Sequence, residues 1–209
     1  MTTTTHAELL DALQAHLHED TTSLPDNQID EALDFAEARI RKEVRAREME
    51  TDSSISLTSG TRTVALPSNF IGHRRLYLST SPIRQLRFVT PEYYWATWMS
   101  STTGEPEEFT VEADNFLFGP TPGSDYTGQV LFYSLAALTP SVTPDLFTNH
   151  PDLYWYGTLV ELAPFLGASD SDIIRWESGY QRSKELVLMS NQRDRHPGPL
   201  VRRRIGSVV

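Results

Sequence analysis

The chain has no cysteine in its 209 residues. Disulfides and thiolate metal sites are therefore excluded, and the fold must stand on packing, alone or with oligomerisation. No apolar run approaches the roughly 20 residues that a membrane-spanning helix needs. The opening MTTTTHAELL has no basic stretch followed by an apolar one, so no secretory signal is expected, and its four threonines read as a frayed end. Basic residues are scarce, 18 Lys and Arg against 28 Asp and Glu, a net charge of −10. That balance argues against a surface that grips nucleic acid over most of its area, because phosphate binding needs clustered cations. A phosphate-cradling loop is also missing: Gly119, Gly123 and Gly128 fall in a proline-rich link between strands, not where a strand runs into a helix.

What is present is a change of period along the chain. Residues 4–48 and 150–192 read as helical, and 53–138 as strands and loops. Leu9, Leu10, Leu13 and Leu17 recur at helical spacing. Ile29, Leu33, Ala36, Ile40 and Val44 make an apolar stripe on a second helix that starts near Pro25-Asp26. Ser54–Thr58 and Thr61–Leu66 alternate as strands do, Pro67-Ser68-Asn69 is a turn, and Arg75–Leu78 is a further strand. Pro82 to Val89 continues in extended form. Thr90, with Pro91 behind it, caps a short helix through Tyr94 and Trp98. Phe109–Val111, Asn115–Phe118 and Gln129–Leu135 complete the strands.

His150-Pro151 opens a helix whose apolar face is Leu153, Tyr156, Leu159, Val160, Ala163 and Leu166, ending at Gly167. Ser169–Asp172 caps the last helix, which carries Ile173, Trp176, Tyr180, Leu186 and Val187 on its apolar side. The expected fold class is α+β: a four-helix bundle from the N- and C-terminal helices, an inserted small antiparallel β domain, and an extended C-terminal arm. The divisions are 1–50, 51–140, 141–195 and a basic arm at 196–209.

Reaction chemistry is hard to find. His16 and His18 stand two apart, whereas helical metal ligands usually stand four apart, so they read as surface histidines. His73 and His150 accompany no nucleophile motif. Glu105, Glu107 and Glu108 read as a solvated polar turn, with nothing to push a catalytic pair of pKa values apart. No catalytic, cofactor-binding or metal-ligating residue is expected, and no cofactor.

Two aromatic clusters invite a different reading. Tyr93, Tyr94, Trp95 and Trp98 crowd one short helix, and Tyr154, Trp155 and Tyr156 open another. Consecutive helical positions point about 100° apart, so three successive rings cannot share one core. They pack at the periphery of the β region, or they form a subunit or tail interface, for which Trp95, Trp98, Tyr154 and Trp155 are the candidates. Past a helix stop at His196–Pro199, the segment Leu200–Val209 combines Arg202, Arg203 and Arg204 with aliphatic residues; it reads as a disordered tail or as an arm that docks on a partner, with the aliphatic residues favouring the arm.

Several local phrases converge on one family. Ala65-Leu66-Pro67-Ser68-Asn69-Phe70 followed by Arg74–Leu78, then Leu86–Tyr94 around Thr90-Pro91-Glu92, Gly104-Glu105-Pro106 and Gly119-Pro120 keep the order seen in head-to-tail adaptors of tailed bacteriophages. Val130–Tyr133, Leu138-Thr139 and Asn149–Leu166 extend the likeness, so that residues 66–192 resemble such an adaptor, also called a head–tail connector.

The resemblance implies a twelve-subunit ring under the portal that lengthens the DNA channel and docks the tail. Its partners would be further copies of itself, the portal protein, and a tail, nozzle or hub protein with fibres, while double-stranded DNA passes without specific binding. It implies a place in the virion neck after assembly in the host cytoplasm. It also implies a portal-docking role for Arg202, Arg203, Arg204 and Ile205. Alternative readings are another neck or tail protein, such as a stopper or terminator, and a small-ligand module or hydrolase, which would need a deep pocket with convergent polar groups.

Overall fold

The structure is a computed structural model that describes residues 4–18, 25–100 and 102–195. The arm expected from residue 196 onward lies outside the described residues. In chain order the elements begin with α1 (His6–His18), α2 (Asp26–Glu43), β1 (Glu50–Leu57), β2 (Thr63–Ala65), β3 (Phe70–Leu78), β4 (Arg84–Gln85), β5 (Arg87–Phe88) and α3 (Pro91–Trp98). They continue with β6 (Thr103–Gly104), β7 (Glu108–Glu112), β8 (Asn115–Gly119), β9 (Thr121–Pro122), β10 (Tyr126–Ser134), α4 (Asp145–Asn149), α5 (Pro151–Leu166) and α6 (Asp170–Arg195). The class is α+β, with six helices and antiparallel sheets among the described residues. Two compact units emerge: one is helical, formed by the chain up to Glu48 and again from Ala137, and the other is the β-rich stretch Met49–Ala136.

In the helical unit, the stripe Ile29, Leu33, Ala36 and Ile40 is buried as its period predicts. Leu9 and Leu13 do the same for α1. Thr4 and Thr5 are not frayed. The Glu8 carboxylate accepts from the Thr4 and Thr5 backbone N–H groups and from the Thr4 hydroxyl, while Thr5 Oγ1 accepts from the Glu8 N–H. This is a capping box, which satisfies two of the open donors at the start of α1.

Helix α5 is the centre of the unit and touches α1, α2, α4 and α6. Its buried residues therefore run almost round its circumference, and they include Leu153, Tyr154, Leu159 and Leu162. Gly167 closes it in the left-handed conformation, φ 59°. Ser169 caps α6, accepting from the Asp172 N–H. The buried line of α6 is Trp176, Tyr180, Ser183, Val187 and Asn191. Leu186, expected on that face, is 52% exposed because it stands one residue, about 100°, off the line through Val187.

A polar clamp joins α2 to α6. Arg39 donates to both carboxylate oxygens of Glu177, at 2.9 and 2.6 Å, and to Glu43 at 3.1 Å. Its guanidinium lies 4.2 Å from the Tyr180 ring centre. Lys184 reaches Glu43 at 2.8 Å.

In the β unit, one sheet has the order β1-β10-β3-β4 and the other β2-β8-β7-β5, with β6 paired to β9. Pairing is antiparallel except for two short parallel contacts, β5 with β7 and β6 with β9. Strand β3 begins at Phe70, five residues before the expected start, directly after Asn69 turns the chain at φ 56°. The extended stretch after Pro82 splits at buried Leu86: β4 belongs to the first sheet and β5 to the second. Leu76, Leu78, Val130 and Phe132 of one sheet meet Phe109, Phe116 and Phe118 of the other in one core.

Candidate interaction surfaces

Helix α3 shows how one short helix disposes of four aromatics. Thr90 Oγ1 accepts from the Tyr93 N–H, and Pro91 sits at the first helical position, as the sequence predicts. Tyr94 is the core residue; its hydroxyl donates to the Phe118 carbonyl at 2.9 Å, and burial raises the pKa of its phenol. Trp98 and Trp95 use their indole N–H groups, donating to Glu108 and Glu112, each at 2.9 Å. Arg62 donates to the Trp98 carbonyl at 3.3 Å. Trp98 packs closely enough on β8 that a Cβ at Gly119 would stand 2.5 Å from its ring. Trp95, Tyr93, Met99 and the nearby strand residue Phe88 remain exposed.

Glu108 corrects the reading of the acidic turn. It is buried, the first residue of β7, and its carboxylate accepts from both Trp98 and the Arg87 guanidinium. Glu105 and Glu107 pair with the half-exposed Arg84. A buried carboxylate needs donors of this kind to offset its lost hydration.

Tyr154 is 0% exposed, which removes it from the surface candidates. Its ring meets Phe147 of α4 edge-on at 5.1 Å, and burial, with the Glu37 charge beside it, pushes its phenol pKa well up. The core position expected for Tyr156 belongs to Tyr154, because α5 is enclosed on several sides and α4 takes the Tyr154 face. Tyr156 is half-buried, and its ring fills the space where a Cβ of Gly179 would stand, 2.6 Å away. Trp155 is half-buried and meets the exposed His16 edge-on at 5.7 Å, so that histidine packs against an indole.

His73 and His150 are structural too. His73 packs between Phe88 and Phe109, and burial lowers its pKa. His150 opens α5 with Glu48 at 4.0 Å. Among the described residues, no three His, Asp or Glu side chains gather in a metal-binding group.

Glu37, one of the charged residues that helical spacing sets opposite the α2 stripe, is not a surface residue. It is buried on α2 and accepts from the Leu138 N–H at 2.7 Å, tying down the segment that re-enters the helical unit. Burial raises its pKa to about 7, against the pull of the Leu138 N–H and Arg41. Its position in an amphipathic helix gives no signal of this, since the partner lies 101 residues away.

Between α5 and α6 runs an open groove of about 500 Å³, lined by Asp152, Tyr156, Arg175, Gly179, Arg182 and Leu186 among others. Arg202, Arg203, Arg204 and Ile205 lie outside the described residues.

Exposed aromatic side chains such as Trp95 and Tyr93 are of the kind enriched at protein–protein interfaces. The profile of the SU10 adaptor protein family matches residues 4–203, and the chain belongs to that family. The likeness to phage adaptors read from Ala65–Phe70 and the later phrases is borne out by this match. Comparison with curated proteins gave no match. Membership makes the chain a bacteriophage adaptor, a structural component of the virion that meets other head and tail proteins, and not a member of an enzyme class. No helix among the described residues is long and apolar enough to cross a membrane.

Proposed function

We propose that this protein is the head-to-tail adaptor that forms a twelve-subunit ring beneath the portal, lengthens the DNA channel and gives the tail its platform. The family match over residues 4–203 carries this reading. A ring subunit needs two different lateral faces that close by rotation. Helices α1, α2, α5 and α6 act as a four-helix bundle, and the β region at 51–140 is an insertion into it. Trp95, with Trp98 behind it, and Trp155 serve as subunit or tail contacts; exposed or half-buried rings of this kind are enriched at interfaces. The net charge of −10 suits a bore through which phosphate passes without sticking.

The basic arm at 196–209 docks on the portal, with Arg202, Arg203 and Arg204 meeting acidic groups and Ile205 an apolar pocket. The other end of the ring meets the tail or nozzle protein, and the whole sits in the virion neck after assembly in the host cytoplasm. The test replaces Arg202, Arg203 and Arg204 with Glu in the full chain and measures binding to the purified portal. Loss of binding with an unchanged circular dichroism spectrum is expected. Undiminished binding overturns the arm assignment.

A further inference from the structure

The helical unit carries two uncovered patches of opposite character. On α2, Glu31, Asp34, Phe35 and Ala38 recur at i, i+3, i+4 and i+7 and are all exposed. Phe35 is 52% exposed, an aromatic ring held out to solvent with two carboxylates beside it on the same helix. Among the described residues, neither Glu31 nor Asp34 makes an ion pair. The second patch is the groove between α5 and α6. Tyr156 lies against Gly179 there, and Arg175 and Arg182 stand two turns apart on α6, roughly 10 Å along its axis. Among the described residues Arg175 pairs only with half-buried Asp172, at 3.1 Å, and Arg182 has no ion-pair partner. Asp152 is the one carboxylate in the lining, and Leu186 supplies apolar surface.

We propose that the Phe35 knob of one copy seats in the α5–α6 groove of the next, its ring against Tyr156, with Glu31 and Asp34 of the knob meeting Arg175 and Arg182. The charges are complementary, acids on the knob and mainly arginines in the groove. The exposed phenyl and Leu186 both leave water in the contact. An arginine beside a phenyl adds a cation–π attraction. The two patches share no residue, so the contact is heterologous; repeated from copy to copy it generates a closed ring where the rotation closes. This inference rests on the ring reading above and gives that ring one of its lateral faces.

The absence of native cysteine makes the test clean. Full chains carrying Phe35→Cys together with Ser178→Cys, a groove residue, are assembled with the portal protein and oxidised. A ladder of covalent multimers extending past the dimer is expected, and neither single variant gives one. Arg182→Glu abolishes ring formation, and adding Asp34→Arg restores it. Rings that form without a ladder, or that survive Arg182→Glu unchanged, overturn this contact and leave the ring reading standing. A chain that stays monomeric with the portal present overturns both.

Discussion

Trp98 lies across Gly119, its nearest ring atom 2.5 Å from where an alanine Cβ would stand. The same indole donates to Glu108, a carboxylate buried at the start of β7. One glycine thus sets the position of a helix, and that helix supplies a donor to a buried charge.

Gly119→Ala should therefore cost more than an ordinary glycine substitution. The new methyl has no free space, and overpacking of this kind costs about 1–3 kcal/mol. If Trp98 moves aside, Glu108 also loses its indole donor. Urea denaturation should show a lower midpoint, with shifted tryptophan emission. An unchanged midpoint would mean that α3 does not depend on this close approach.

Glu37 makes the stability of the helical unit depend on pH in an unusual direction. Its folded pKa, about 7, lies above the ordinary carboxylate value of 4.5, so the folded chain binds the extra proton between those values. The folded state binds more protons there, so stability falls as pH rises through that window. The full difference is about 3 kcal/mol. Glu37→Gln keeps a carbonyl acceptor for the Leu138 N–H and never ionises. Its stability advantage over the wild type should be small at pH 5 and grow by pH 8. Denaturation curves that differ equally at both values would contradict the assignment.

Arg39 is the hub of the clamp between α2 and α6. Arg39→Ala removes the bidentate pair with Glu177, the bond to Glu43 and the contact over Tyr180. The groups are partly exposed, so the loss at neutral pH should be about 1–2 kcal/mol. Hydrogen bonding from Arg39 holds the Glu177 carboxyl below the ordinary value. The contribution is present above the ordinary carboxylate pKa and is lost as pH falls through the depressed one. Wild type and variant should thus converge in stability in acid. A constant gap down to pH 3 would assign the effect to packing over Tyr180.

These features differ in how far the sequence discloses them. The α2 stripe from Ile29 to Ile40 and the Thr90-Pro91 start of α3 are local signals, and both read correctly. The capping role of Thr5 and Glu8 is equally local, in the order Thr-x-x-Glu, yet the run of threonines masks it. Tyr154 and Tyr156 are a harder case. Helix α5 is apolar nearly all round, so periodicity does not say which tyrosine faces the core; the position of Phe147 decides it. Glu108 and Glu37 depend on partners brought close only by the fold: Arg87 and Trp98 for one, the Leu138 backbone for the other. The adaptor phrases from Ala65 to Leu166 succeeded for a different reason, since a likeness of wording carries the fold's long-range contacts without deriving them.

The ring itself is tested most directly by electron micrographs of the purified full chain, alone and mixed with its portal protein. Closed rings around a hollow axis, coaxial with the portal in the mixture, are the expected result. A compact monomer in both samples would contradict it.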